Sequence, residues 1–278
     1  MTNHVPRLMA VLAHPDDESL GFGGTLAKYA AAGIEVSLVT ASRGDAGRFH
    51  GHRPGSAGHP GPVALAAIRE AELRAAAAIL GVREVTVLDY HDQQLDRVAP
   101  RDAIANIAGH LRRIRPDVVV TFGPDGAYGH PDHVAISQST TAAIVAAADP
   151  AFAHDGVVAA GRPHAVSKLY YLAWPASVWD VYQAVIGRLA SVVDGVERQA
   201  TPWPDWAITT TIDTRAVAAR VWQAVSCHAS QVTAYKGLLA LPPEQHEALW
   251  GSQCFYRAFS TVNAGRERET DLFEGIRR

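Results

Sequence analysis

The chain opens on a short unbroken apolar run, residues 8–13 (LMAVLA), the pattern of a strand buried on both faces. Residues 18–32 then space their apolar positions along one helical face and stop at Gly33. A second apolar run at 34–41 (IEVSLVTA), a third at 84–88 and a fourth at 118–122 read as further strands. Helices are predicted over 63–80, ending at Gly81, over 101–115, ended by Pro116, and over 131–148, with Pro131 in the first turn. The order β-α-β-α-β-α-β-α predicts an α/β fold, a Rossmann-like doubly wound, mostly parallel sheet with helices on both faces.

Past residue 150 the alternation loosens. Residues 166–172 (VSKLYYL), 207–212 (AITTTI) and 254–262 read as strands, and 214–235 as a helix. An aromatic, proline-containing stretch fills 174–206. No repeat, low-complexity tract or linker interrupts the chain. The expectation is one domain over 1–278, with the site in residues 1–150 and a C-terminal part, 151–278, that shapes the substrate pocket.

Composition narrows the function classes. Of 278 residues 48% are apolar, enough for a sizeable core, which excludes a disordered chain. The formal charge of −3 leaves no basic footprint, so no nucleic-acid partner is expected. No apolar stretch reaches the ~18 residues of a membrane span, and no signal-peptide pattern opens the chain. Cys227 and Cys254 cannot form a disulfide framework. The cytoplasm is the expected location, no membrane partner is expected, and a homo-oligomer is compatible with the sequence. The anomaly is 13 histidines, several beside aspartate.

Two histidine–aspartate motifs carry the chemistry. His14-Pro15-Asp16-Asp17-Glu18 follows the first strand, and Gly129-His130-Pro131-Asp132-His133 follows the fourth. Open α/β sheets bind ligands at the carboxyl ends of their strands, and strands 1 and 4 are neighbours in the common doubly wound order. In that order the two motifs face each other across one crevice. His14 and Asp17 are three apart, as are His130 and His133, a spacing that shares one face of a helical turn. Two histidines and a carboxylate make a catalytic zinc site or an iron(II) triad. Adjacent Asp16 and Asp17 cannot both point at one ion, so one carboxylate is left as a candidate general base. Each motif alone is also ordinary helix-cap chemistry.

The paired motifs resemble those of the LmbE-like (PIG-L) family of zinc-dependent N-deacetylases, which remove acetyl from N-acetylglucosamine-type substrates. Residues 115–122 (RPDVVVTF), Ala127-Tyr128-Gly129-His130 and the tail Glu269-Thr270-Asp271-Leu272 are similar to the actinobacterial mycothiol-pathway branch of that family. The resemblance implies His14, Asp17 and His133 as zinc ligands, with iron(II) as the alternative metal, and Asp16 as general base. It implies His130 as a second catalytic group oriented by Asp132, and Tyr128 as a donor to the oxyanion. Arg69 and Asp92 would contact the sugar. The implied activity is N-acetyl hydrolysis of a small-molecule amino-sugar conjugate. The alternatives are an amidase acting on a bulkier acyl group and a metal-dependent hydrolase of a non-sugar amide.

Weaker signals remain. Gly21-Phe22-Gly23-Gly24 lacks the spacing of a dinucleotide-binding turn. Residues 42–62 form a long loop, and its Arg43, Asp45 and Arg48 are placed to reach substrate. His50, His52 and His59 in that loop fit no closed zinc site and read as solvated. His228 reads as helix packing or a helix–helix hydrogen bond, with the pocket rim as the alternative. Most of the six tryptophans read as core, with one or two free to stack on a ligand.

Overall fold

The computed structural model describes residues 5–276 apart from 155–156, 159–160, 200, 234 and 266. Seven strands form the main sheet: β1 (Arg7–Leu12), β2 (Glu35–Ser42), β3 (Glu84–Tyr90), β4 (Val118–Phe122), β5 (Lys168–Leu172), β6 (Thr210–Asp213) and β7 (Ser252–Ser260). Their order is β6-β7-β5-β4-β1-β2-β3. β3, β2, β1, β4 and β5 run parallel, and β7 is antiparallel to both β5 and β6. The expected mostly parallel sheet is therefore present, with β1 paired to β4 (Leu8 opposite Val118). Leu8–Leu12 are wholly buried, as a continuous apolar run in a central parallel strand requires.

Eight helices of the fold matter here: α1 (Asp17–Leu20), α2 (Gly23–Ala31), α3 (Pro62–Leu80), α4 (Pro100–Ile114), α5 (Pro131–Ala148), α6 (Ala176–Ile186), α7 (Ala218–Cys227) and α8 (Pro243–Trp250). The helix expected over 18–32 is broken between α1 and α2. The break drops Phe22 into the core against Phe122, ring centroids 5.4 Å apart. A Cβ at Gly21 would sit 3.3 Å from both the Asp17 carbonyl oxygen and Leu172, so the turn has little room for a side chain. The helix expected over 214–235 is also broken, at His228, whose φ/ψ of −80/51° leaves the α region. The stretch 174–206 folds as α6 followed by a small hairpin, Ser191–Val193 with Val196–Arg198. The loop expected over 42–62 is present between β2 and α3, with Ser42 closing the strand and Pro62 opening the helix. No helix among the described residues is long and apolar enough to cross a membrane.

The tail closes the C-terminal edge of the sheet through one buried carboxylate. Glu269 accepts from Lys168 Nζ (2.7 Å), Asn263 Nδ2 (2.6 Å), Tyr170 OH (2.7 Å) and Thr210 Oγ1 (2.9 Å), and pairs with Arg257 (2.8 Å). Burial alone would raise its pKa, but Lys168, Asn263, Tyr170 and Thr210 outweigh burial and bring it down to about 2. A depressed carboxylate contributes stability above its unfolded pKa, near 4.5, and that contribution is lost as pH falls toward 2. Glu269→Gln leaves Lys168 buried without its counter-charge and is expected to destabilise by about 3–5 kcal/mol. Denaturant unfolding at pH 7 measures this, and a change under about 1 kcal/mol would remove Glu269 as the tail's anchor.

Candidate metal centre and active site

The loops after β1 and β4 bring both motifs to one point. His14 Nδ1 lies 3.2 Å from His133 Nε2, and His133 Nε2 lies 3.3 Å from Asp17 Oδ1. The third edge, His14 Nδ1 to the Asp17 carboxylate, is 3.8 Å. Two donors each ~2.0–2.1 Å from one zinc ion stand about 3.4 Å apart at the tetrahedral angle; the two contacts of His133 Nε2 match that spacing, while the 3.8 Å edge runs to the other carboxylate oxygen, Asp17 Oδ2. The other ring nitrogens are already engaged. His133 Nδ1 donates to the Gly126 carbonyl (3.2 Å), and His14 Nε2 faces Asp132 Oδ2 (3.0 Å) and Asp92 Oδ1 (3.1 Å). This is the pattern in which outer carboxylates and carbonyls orient metal-ligating imidazoles.

His14 thus has carboxylates on both sides, and it belongs to two candidate cation groups, one with His130 and His133 and one with Asp92 and Asp132. Two observations favour the Asp17–His133 side. Both Asp132 oxygens already accept backbone N–H groups, from Gln93 (2.7 Å) and Leu95 (3.1 Å). Asp17 and His133 also line an open pocket of about 230 Å³, together with Asp16 and Tyr128. Burial alone would suppress charge on His14, but Asp92, Asp132 and Asp17 outweigh it, so the spot favours positive charge. Burial would likewise raise the Asp17 carboxyl, and His133 and His14 reverse this and hold it well below the usual range.

Asp16 sits at the N-cap of α1 with φ 111°, left-handed backbone that a non-glycine residue adopts at a cost of order 1–3 kcal/mol. Three contacts hold it there. Its N–H donates to Glu18 Oε2 (3.0 Å), its carboxylate accepts from Arg69 Nη2 (3.2 Å), and the same Nη2 donates to the Pro15 carbonyl (2.5 Å). Burial pushes the Asp16 carboxyl up to about 6, with Arg69 pulling the other way. A second strained residue, Ala127 (φ 62°), precedes Tyr128 at the end of β4. The Tyr128 hydroxyl has no hydrogen bond within the described residues, and burial raises its pKa well above 10, so it remains a donor. The His130 ring lies 4.8 Å from that of His14, and burial with the two neighbouring imidazoles lowers its pKa to about 3.

The remaining expected site residues are placed differently. Asp132 does not orient His130 through its carboxylate. Only its backbone N–H reaches His130 Nδ1 (3.2 Å), while the carboxylate turns to His14. Arg69 is 4% exposed, and its two terminal nitrogens are engaged by Pro15, Asp16 and the Gly44 carbonyl, so it braces Asp16 rather than presenting a surface to a sugar. Asp92, equally buried, faces His14. Arg43 pairs with Glu70 and Asp89, and Asp45 accepts from Asp92 N–H and faces His91 Nδ1, so both tie the loop instead of lining either pocket. Of that loop's expected contacts, Arg48 does line a cavity, a polar one shared with His130, Gln93, Arg53 and Gln231. Of the loop histidines expected to be solvated, His50 and His52 are exposed, His50 also meeting Thr233 Oγ1 (2.7 Å), while His59 is half-buried and donates to the Gly47 carbonyl (3.1 Å).

The helix–helix hydrogen bond expected of His228 forms, and its partner Glu18 carries it on to Asp16, a link that the sequence does not single out. His228 Nε2 lies 2.7 Å from Glu18 Oε1, Ser19 Oγ donates to the same oxygen (2.5 Å), and Glu18 Oε2 takes the Asp16 N–H. The only signal was Glu18 standing inside the first motif. Trp179 and Trp250 are core, whereas Trp174 stacks on Tyr182 (4.6 Å) at the pocket wall and Trp206 is exposed.

Residues 9–144 match the family described as PIG-L, GlcNAc-PI de-N-acetylase. The chain is 35% identical, over 97% of its length and 83% of the relative's, to a 1D-myo-inositol 2-acetamido-2-deoxy-alpha-D-glucopyranoside deacetylase of Kineococcus radiotolerans. A protein of the same description from Rhodococcus jostii is 34% identical, over 97% and 98% of the two chains. Among solved structures, the N,N'-diacetylchitobiose deacetylase of Pyrococcus horikoshii superposes with a TM-score of 0.62 at 18% identity, covering 90% and 83%. The 4-carboxy-2-hydroxymuconate hydratase GalB of Pseudomonas putida superposes with 0.64 at 19%, covering 94% and 99%, so this fold also carries a different reaction. The match over residues 9–144, together with relatives a third identical along nearly the whole chain, places this protein in the PIG-L (LmbE-like) family.

Proposed function

We propose that this chain is a metal-dependent N-deacetylase that hydrolyses the acetamide of an N-acetylglucosamine-type conjugate. The observation that carries the reading is that His133 Nε2 lies 3.2 Å from His14 Nδ1 and 3.3 Å from Asp17 Oδ1, beside the pocket that Asp16, Asp17, Tyr128 and His133 line. The fold alone would not carry it, and the amino-sugar deacetylase relatives supply the substrate class.

His14, Asp17 and His133 would hold zinc, with iron(II) as the alternative. Such an ion supplies Lewis acidity and lowers the pKa of a coordinated water from 15.7 to about 7. The chain's own groups do the rest. Asp16, braced by Arg69 and by Glu18 through its backbone, takes the proton of the attacking water. Tyr128, a donor with no partner among the described residues, turns its hydroxyl to the oxygen that gains charge, a contact worth ~3–4 kcal/mol when aimed at the transition state. Asp16, which holds the proton taken from the water, returns it to the departing amine, and the neutral His130 is limited to a hydrogen bond. Asp132 and Asp92 act through His14, fixing its ring.

The test is acetate release from N-acetylglucosamine and a panel of its glycosides, the 1D-myo-inositol glycoside included, with chelator and with restored zinc. Release that chelator abolishes and metal restores is expected. No release from any member, by protein carrying one equivalent of metal, would overturn the reading.

A further inference from the structure

Two chambers of opposite character flank the candidate centre and meet at Ile186 and Tyr235. One holds His130, Gln93, Arg48, Arg53 and Gln231, a set of donors and acceptors suited to sugar hydroxyls. The other, about 230 Å³, opens at Asp16, Asp17, Tyr128 and His133 and runs between Leu20, Phe122, Trp174, Tyr182, Ile186 and Leu189. Its polar side chains are those reacting groups, Arg188, Tyr182, Tyr235 and the indole N–H of Trp174. The Tyr182 hydroxyl is already engaged, donating to the Leu20 carbonyl (2.6 Å). A sugar placed there would meet mostly apolar wall, with few groups for its hydroxyls beyond the reacting residues, Arg188 and Tyr235, whereas an alkyl chain would be desolvated without leaving polar groups unpaired.

We propose that the apolar chamber is an acyl pocket and that the enzyme hydrolyses N-acyl amino sugars whose acyl chain is longer than acetyl. The inference rests on the amide-hydrolase reading above and extends it to the substrate's acyl side. The amine-bearing sugar lies on the His130 side and the acyl carbon faces Tyr128, with its chain directed toward Trp174 and Leu189. The acetyl methyl, at ~30 Å³ for a group of that size, occupies roughly an eighth of the chamber. The chemistry is unchanged. The amide C–N bond breaks, the water oxygen joins the acyl carbon to give the carboxylic acid, and the amine takes up the proton. Each further methylene buried is worth about fourfold in kcat/KM until the chamber is full.

The experiment is a kcat/KM series for N-acetyl, N-butyryl, N-hexanoyl and N-octanoyl glucosamine, with alkyl glycosides of N-acetylglucosamine in parallel. The hexanoyl compound is expected to exceed the acetyl one by at least about tenfold. Ala190→Phe narrows the chamber and is expected to lower the hexanoyl-to-acetyl ratio by about tenfold or more. Acetyl preferred throughout, or a rate that follows the alkyl glycoside rather than the acyl chain, overturns the acyl pocket and leaves the deacetylase standing. Hydrolysis of no member by metal-replete protein overturns both. The wild-type series decides the matter even if the variant does not fold.

Discussion

Asp16→Asn is expected to lower kcat/KM for acetate release by about 10²–10⁴ with metal content unchanged. The amide keeps the size of the carboxylate and can still accept from Arg69, and the backbone bond from Asp16 N–H to Glu18 does not depend on the side chain. What is lost is the capacity to take a proton. Asp16→Ala also removes the partner of a buried guanidinium, so its cost includes destabilisation that the amide variant avoids. The pair therefore separates base chemistry from support. Acetate release within threefold of wild type in the amide variant would dismiss Asp16 as the base. Loss of the metal in the same variant would make Asp16 a ligand. Glu18→Gln is the informative companion, because it weakens the strut behind the base and leaves the base itself in place.

The core half of this fold was legible because local signals and tertiary demands coincide there. β4 and α5 begin and end where the apolar run 118–122 and the pattern 131–148 place them. The meeting of the two motifs followed from strand order alone, through the β1–β4 pairing. The illegible parts depend on contacts distant in sequence. The helix pattern over 214–235 gives no hint of a break at His228, because the break serves a hydrogen bond to Glu18, 210 residues away. The kink at Gly21-Phe22 serves Phe122 and Phe255. Asp132 misled for a geometric reason. It stands two residues after His130 at the start of α5, and side chains two apart in a helix do not face each other, so its carboxylate meets His14 from across the sheet. Arg69 and Asp92, expected to contact the sugar, stand beside Asp16 and His14, but whether a polar group meets ligand or protein is decided by burial, and both are at most 5% exposed.

The two faces of the His14 ring make opposite predictions, and three conservative variants separate them. If the cation is held by His14, Asp17 and His133, Asp17→Asn removes a charged ligand while preserving the carbonyl-type oxygen that accepts the Ala13 and His14 N–H groups. A quarter share of the roughly 10–16 kcal/mol typical of a four-ligand zinc site is about 3–4 kcal/mol, or 10²–10³ in affinity. Asp92→Asn and Asp132→Asn would instead weaken binding by about 10–100-fold, because they only loosen the orientation of His14. If the Asp92–Asp132 side held the cation, the ranking would invert and Asp17→Asn would be the mild variant. Metal titration by competition with a chelating dye measures the three affinities on folded protein, independently of substrate. The expected order is Asp17→Asn weakest by at least about tenfold over the other two, with acetate release following the same order once each variant is assayed at a fixed, limiting zinc activity. Access makes the inverted ranking the harder one to reconcile with catalysis. Asp17 and His133 open onto the chamber that Asp16 and Tyr128 line, whereas Asp92 and Asp132 lie behind the ring, with both Asp132 oxygens accepting backbone N–H groups.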